Sequence, residues 1–123
     1  MEKFFTHKEI AEIYEFCINE EIPISEKVIQ NAQLVMSLIK RDVKAYIIGL
    51  QEISAHGTIC FCFALGKEDD FHLEIGDETM SYFSVESDKM VVSEEHVNID
   101  TENIEKLINT LNSYQIENKL KQI

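Results

Sequence analysis

Two thiols alternate in the run Ile59-Cys60-Phe61-Cys62-Phe63, with His56 just upstream and His72 further along. Residues two apart on a strand share a face, so Cys60 and Cys62 could ligate one soft ion together. Zinc takes four ligands, usually as two closely spaced Cys or His pairs. Here the second pair is missing, and His56 and His72 would complete at most a mixed site. Alternating cysteines between phenylalanines are more often small apolar fillers. A cysteine nucleophile needs a neighbouring base and an electropositive setting to lower its pKa. A chain of net charge −12 works against that. Cys17 falls on the apolar stripe of a helical pattern, so all three thiols read as inert. A small metal-binding or thiol-based enzyme domain around Cys60, Cys62, His56 and His72 stands as the second functional reading.

Carboxylates are the other candidates for chemistry. Glu68, Asp69 and Asp70 form one group, and Asp77 with Glu78 a second, each in a polar turn. Paired carboxylates do acid–base work when their environments split their pKa values, whereas turn carboxylates are usually solvated alike. The calcium loop of an EF-hand is absent, as are a phosphate-binding loop, a dinucleotide fingerprint and a nucleophile elbow. His7 and His96 are scattered and read as ordinary surface residues. No catalytic, cofactor-binding or metal-binding residue is assigned, and the expectation is a protein that is not an enzyme.

The acidity itself is the stronger signal. Of the 23 acidic residues, thirteen lie between Gly66 and Glu105, against two lysines, Lys67 and Lys89. Affinity for nucleic acid rests on lysine and arginine, so direct nucleic-acid binding is not expected. Anionic lipid is repelled for the same reason. A basic protein partner is favoured, such as a nuclease, a toxin or another nucleic-acid-binding protein. The expected contacts are Glu68, Asp69, Asp70, Glu74, Asp77 and Glu78, continuing through Tyr82, Glu86, Asp88, Glu94 and Glu95. The plain alternative is that these carboxylates only solvate the surface.

At 123 residues with 45% hydrophobic content and seven phenylalanines, the chain can bury a core of its own and reads as one domain, 1–123. Glycine and proline are scarce, and repeats and low-complexity tracts are missing. An odd cysteine count does not suit a secreted disulfide framework. Met1-Glu2-Lys3-Phe4-Phe5 leads straight into a charged helical pattern, without the apolar run of a signal peptide, and no stretch is apolar enough to span a bilayer. The expectation is a cytoplasmic protein.

Hydrophobic period then places these residues on elements. Thr6 and Glu9 have the spacing of a capping box, with Phe5 and Ile10 as its staple. The spacing predicts a helix from about His7 to Glu20, with Ile10, Ile13, Tyr14 and Cys17 on its stripe. Ser25 caps a second helix bearing Val28, Ala32, Val35, Met36 and Ile39, with Ile24 and Ile29 as its staple. Leu34 and Leu38 widen its stripe, which predicts the more buried helix. Near Lys40 and Arg41 the period changes from 3.6 to 2. Strands are expected over Ala45 to Ile53, Thr58 to Leu65, Phe71 to Ile75, Thr79 to Val85 and Met90 to Ser93. The second has a bulky face, Ile59, Phe61 and Phe63, and a small face that a helix could also cover. Loops this short make an antiparallel meander of about five strands. Asp100 or Thr101 caps a last helix with Ile104, Leu107, Ile108, Leu111 and Tyr114 on its stripe. Helices segregated from strands define an α+β class, with two N-terminal helices and one C-terminal helix packed on the antiparallel sheet.

Three pieces carry a resemblance: Ile22-Pro23-Ile24-Ser25 running on to Ala32, Gly57-Thr58-Ile59 to Phe63, and Leu73-Glu74-Ile75-Gly76-Asp77 followed by Tyr82. Over residues 22 to 85 the chain resembles a family of small, largely uncharacterised bacterial proteins. That family shows a P-I-S helix start, a G-x-I-x-L-x-W strand and an L-E-I-G-D hairpin. Phe63 stands where the family has its tryptophan, and Cys62 where a charged residue is usual. The resemblance implies toxin–antitoxin-like or defence gene neighbourhoods and carries no catalytic residues with it. With the charge, it points to an acidic interaction module of antitoxin, immunity or inhibitor type. A structural homo-oligomer, a homodimer included, is the third reading and would expose an apolar sheet face.

Overall fold

A computed structural model of the chain describes residues 7–43, 48–53, 57–64 and 69–121. In chain order the elements are α1 (His7–Asn19), α2 (Glu26–Asp42), β1 (Ile48–Ile53), β2 (Ile59–Ala64), β3 (Asp70–Ile75), β4 (Thr79–Glu86), β5 (Lys89–Asn98) and α3 (Thr101–Lys121). The class is α+β, and the sheet is an antiparallel meander in which each strand pairs with its neighbour in the chain, order β1-β2-β3-β4-β5.

Local chemistry sets the helix ends. α1 stops where Glu21 takes a left-handed φ of 58° and the Ile22 amide closes onto the Cys17 carbonyl at 2.8 Å. The Ser25 hydroxyl accepts from the Val28 amide at 3.3 Å, satisfying one of the donors a helix start leaves open. Lys40 and Arg41 sit in the last turn of α2, where cations suit the helix dipole. Asp100 caps α3, its Oδ1 accepting from the Asn103 amide at 2.9 Å. The expected box and staple at Phe5 and Thr6 lie outside the described residues.

Alternation along the strands decides which side becomes core. Ile59, Phe61 and Phe63 on β2, Phe71, Leu73 and Ile75 on β3, and Met80 and Tyr82 on β4 are all buried on one face. Against them pack Ile10, Ile13 and Cys17 from α1, Val28, Val35 and Ile39 from α2, and Ile104, Leu107 and Leu111 from α3. Truncating one of the buried phenylalanines would cost about 3–5 kcal/mol, so this layer contact dominates the fold's stability. Phe71 bridges its neighbours, stacked on Tyr82 at 5.7 Å and tilted against Phe63 at 6.3 Å.

Three sequence expectations need correction. Leu34 does not widen the buried stripe of α2; it is 47% exposed, because it lies off to one side of the line from Val28 to Ile39. Among the described residues no helix packs over the small face of β2, where Cys60 and Cys62 are half-buried. The last strand is not confined to Met90–Ser93 but runs Lys89–Asn98 and includes His96. Ser87 (φ 50°) and Asp88 (φ 65°) both adopt left-handed backbone, the geometry that matches the twist of a two-residue hairpin. Beyond that turn the β4–β5 register slips twice, between Met80 and Tyr82 and between Ser84 and Val85. At the first slip His96 has φ 52° and its amide donates to the Ser81 hydroxyl at 3.0 Å; at the second the Val92 amide donates to Ser84 at 3.2 Å. The Tyr114 side chain lies outside the described residues.

Candidate functional site

The meander distributes the acidic residues instead of gathering them. Asp69 and Asp70 open β3, and Asp69 accepts from the Ser87 amide at 3.2 Å, so they share one end of the sheet with Glu86 and Asp88. Asp77 and Glu78 form the β3–β4 turn at the opposite end, both exposed. With a rise of about 3.3 Å per residue along β3, the two groups stand roughly 20 Å apart. That exceeds the screening length of about 8 Å at physiological salt, so each end presents its own field. Glu74 lies between them on the uncovered face and accepts from the Thr58 hydroxyl at 2.6 Å. Glu95 is exposed on the irregular stretch of β5. Glu68 falls outside the described residues.

Two expected contact residues face the other way. Tyr82 is 2% exposed and belongs to the core, because its place on β4 shares the face of Met80. Its phenol pKa is raised, chiefly by burial and further by Glu94, with Lys106 opposing. Glu94 pairs across from Tyr82 and meets Lys106 of α3 at 2.6 Å. That hydrogen bond, ahead of simple charge attraction, pushes the Lys106 pKa up. Glu94 therefore ties β5 to α3.

The uncovered face brings Cys62, His72, Phe83 and Ser93 into one cross-strand row, with Cys60, Glu74 and Ser81 in the next. His72 stacks on Phe83 at 4.6 Å with 14° between the rings. Among the described residues no group of three or more His, Cys, Asp or Glu side chains is arranged to hold a metal ion. His56 lies outside them. Cys17 is fully buried and its thiol pKa is raised by burial, the opposite of an activated nucleophile. No helix among the described residues is long and apolar enough to cross a membrane.

A groove that sequence reasoning missed lies between α2 and α3. Asn31 of α2 donates to the Gly76 and Asp77 carbonyls at 3.0 and 2.9 Å, while the Ile99 amide reaches the Glu78 carbonyl at 3.3 Å. Both helices thus start near the β3–β4 turn. Asn112 of α3 donates to the Asp42 carbonyl at the end of α2, at 3.1 Å, so the two run side by side in the same direction. Between them is an open trough of about 700 Å³, lined by Leu34, Leu38 and Ile99 and, at its base, by the buried Ile104 and Ile108. Asp100, Glu105, Arg41 and Asp42 stand on its rim. Arg41 makes two bonds to Asp42, at 2.9 and 2.8 Å, which raise its pKa. Leu34 and Leu38 were the available signal: they lie beyond the arc that one core contact needs.

Comparison with family models, with curated proteins and with solved structures gave no match to this chain.

Proposed function

We propose that the chain is a non-enzymatic acidic interaction module of antitoxin, immunity or inhibitor type, which acts by covering a basic surface on another protein. The observation that supports this reading is the display of carboxylates at both ends of the sheet, Asp69, Asp70, Glu86 and Asp88 at one and Asp77 and Glu78 at the other. Charge so arranged speeds encounter with an oppositely charged partner and selects its orientation. The resemblance to bacterial proteins of defence-like neighbourhoods agrees with it. Tyr82 and Glu94 drop out of the proposed contact set.

The test is a pull-down from the native host at low salt and at about 0.5 M, where the Debye length is about 4–5 Å, followed by association kinetics on the recovered partner. A stoichiometric basic protein is expected, binding about tenfold or more slowly to a chain carrying Asp69→Asn, Asp70→Asn, Asp77→Asn and Glu78→Gln. No partner at either salt, or rates indifferent to salt and to these substitutions, would overturn the reading.

A homo-oligomer has one observation in its favour. The uncovered face carries Phe83, and Met90 and Val91 at the β4–β5 end are 62% and 58% exposed. Sedimentation across a hundredfold concentration range checks it, and a monomer throughout would remove it.

A further inference from the structure

We infer that the trough between α2 and α3 docks a basic amphipathic helix of a protein partner. This rests on the reading of the chain as an acidic interaction module and adds the place and form of the contact. Leu34 and Leu38 are one helical turn apart on one wall, while Ile104 and Ile108, 4% and 7% exposed, are one turn apart on α3 and close the base of the trough. Side chains at i, i+3 and i+4 of a third helix can pack beside Leu34 and Leu38 over that apolar base. The volume of about 700 Å³ accepts several aliphatic side chains at once. Leu34, 47% exposed, is a large apolar side chain left half in water in the absence of an occupant.

Charge selects the occupant. Asp100 and Glu105 stand on the rim, and exposed Asp77 and Glu78 lie at the same end, where both helices begin. Arg41, the cation on the rim, is already bridged to Asp42. A helix carrying Lys or Arg beside its apolar stripe therefore fits, with its positive side chains at the Asp100 end. A second copy of this chain fits poorly. Its exposed apolar residues on α1, Phe16 and Ile18, are accompanied by Glu12 and Glu15, and its net charge is −12.

The experiment titrates the isotope-labelled full chain with a synthetic helical peptide of leucines at i, i+3, i+4 and i+7 and lysines elsewhere. Saturable one-to-one binding is expected, with methyl shifts confined to Leu34, Leu38, Ile99, Ile104 and Ile108. Leu34→Ser, a half-exposed site where folding is retained, should weaken binding by about tenfold or more. Phe83→Ser on the uncovered sheet face should leave it unchanged. A peptide of the same composition with its leucines out of helical register should bind at least about tenfold more weakly. Equal binding of the two peptides would mean charge alone, and shifts at the sheet face would mean another site; either result overturns the inference. So would methyl shifts in the groove on concentrating the protein alone, which would assign it to a second copy. The two readings fail separately. If the host partner responds to carboxylate neutralisation but not to Leu34→Ser, the groove is wrong and the acidic module stands.

Discussion

Among the described residues Tyr82 and Cys17 are titrating side chains that the core holds neutral, and both have pKa values raised chiefly by burial. For such a group the unfolded chain gives up its proton at lower pH than the native one. The stabilising contribution is complete below the unfolded pKa, about 9 for the thiol and about 10 for the phenol, and is lost as pH rises from there through the folded value. Urea midpoints between pH 8 and 11 should hold steady at first and then fall, and Tyr82→Phe should flatten the fall above about pH 10. Parallel curves for the two proteins would contradict the assignment. At this scale the sequence was legible where period alone decides. Val28, Val35, Ile59, Phe61, Phe63, Phe71, Leu73, Ile104, Leu107 and Leu111, all on apolar stripes or strand faces, are buried as expected. It was illegible where the facing element matters. An aromatic in an acidic stretch looked like a contact residue, yet the β4 register turned Tyr82 inward. Leu34 matched a helical stripe, but it lies far round α2 from the arc of Val28 to Ile39 that meets the core.

Among elements, one small residue fastens the helical layer to the sheet. Gly57 precedes β2 with φ +79°, and a Cβ there would stand 2.8 Å from the Pro23 carbonyl oxygen in the α1–α2 connection. Side chains rarely adopt this backbone, and the obstructing atom is main chain that cannot swing away. Gly57→Ala should lower stability by about 2 kcal/mol or more, read as a shifted urea midpoint at unchanged m-value. A shift under about 0.5 kcal/mol would show that the connection gives way freely. The caps at Ser25 and Asp100 were readable because each is a local code, a short polar side chain bonding an amide three residues on. The length of β5 was not, since its two register slips interrupt the alternation that marks a strand.

For the molecule as a whole, a charge of −12 on 123 residues is a standing self-repulsion. The two carboxylate groups at opposite ends of the sheet are too far apart to act on each other at physiological salt, but each repels internally. Raising sodium chloride from about 0.02 to about 0.5 M should raise the melting temperature by a few degrees, about 3–5 °C for roughly 1 kcal/mol regained. A melting point that stays level or falls would mean local partners already neutralise the carboxylates. The acidic display was visible in the sequence as composition, but its division between two ends depends on how the hairpins alternate direction. Irregularity in the last strand also governs what the protein does in company. A straight outer strand offers its open amides and carbonyls to any passing chain, and one such pairing invites the next. In β5 the slipped register and the left-handed turn at His96 put those groups out of step with an incoming backbone. Along that margin the slips hinder crowded copies from zipping into a growing ribbon, a guard against edge-to-edge fibril growth built into the strand itself.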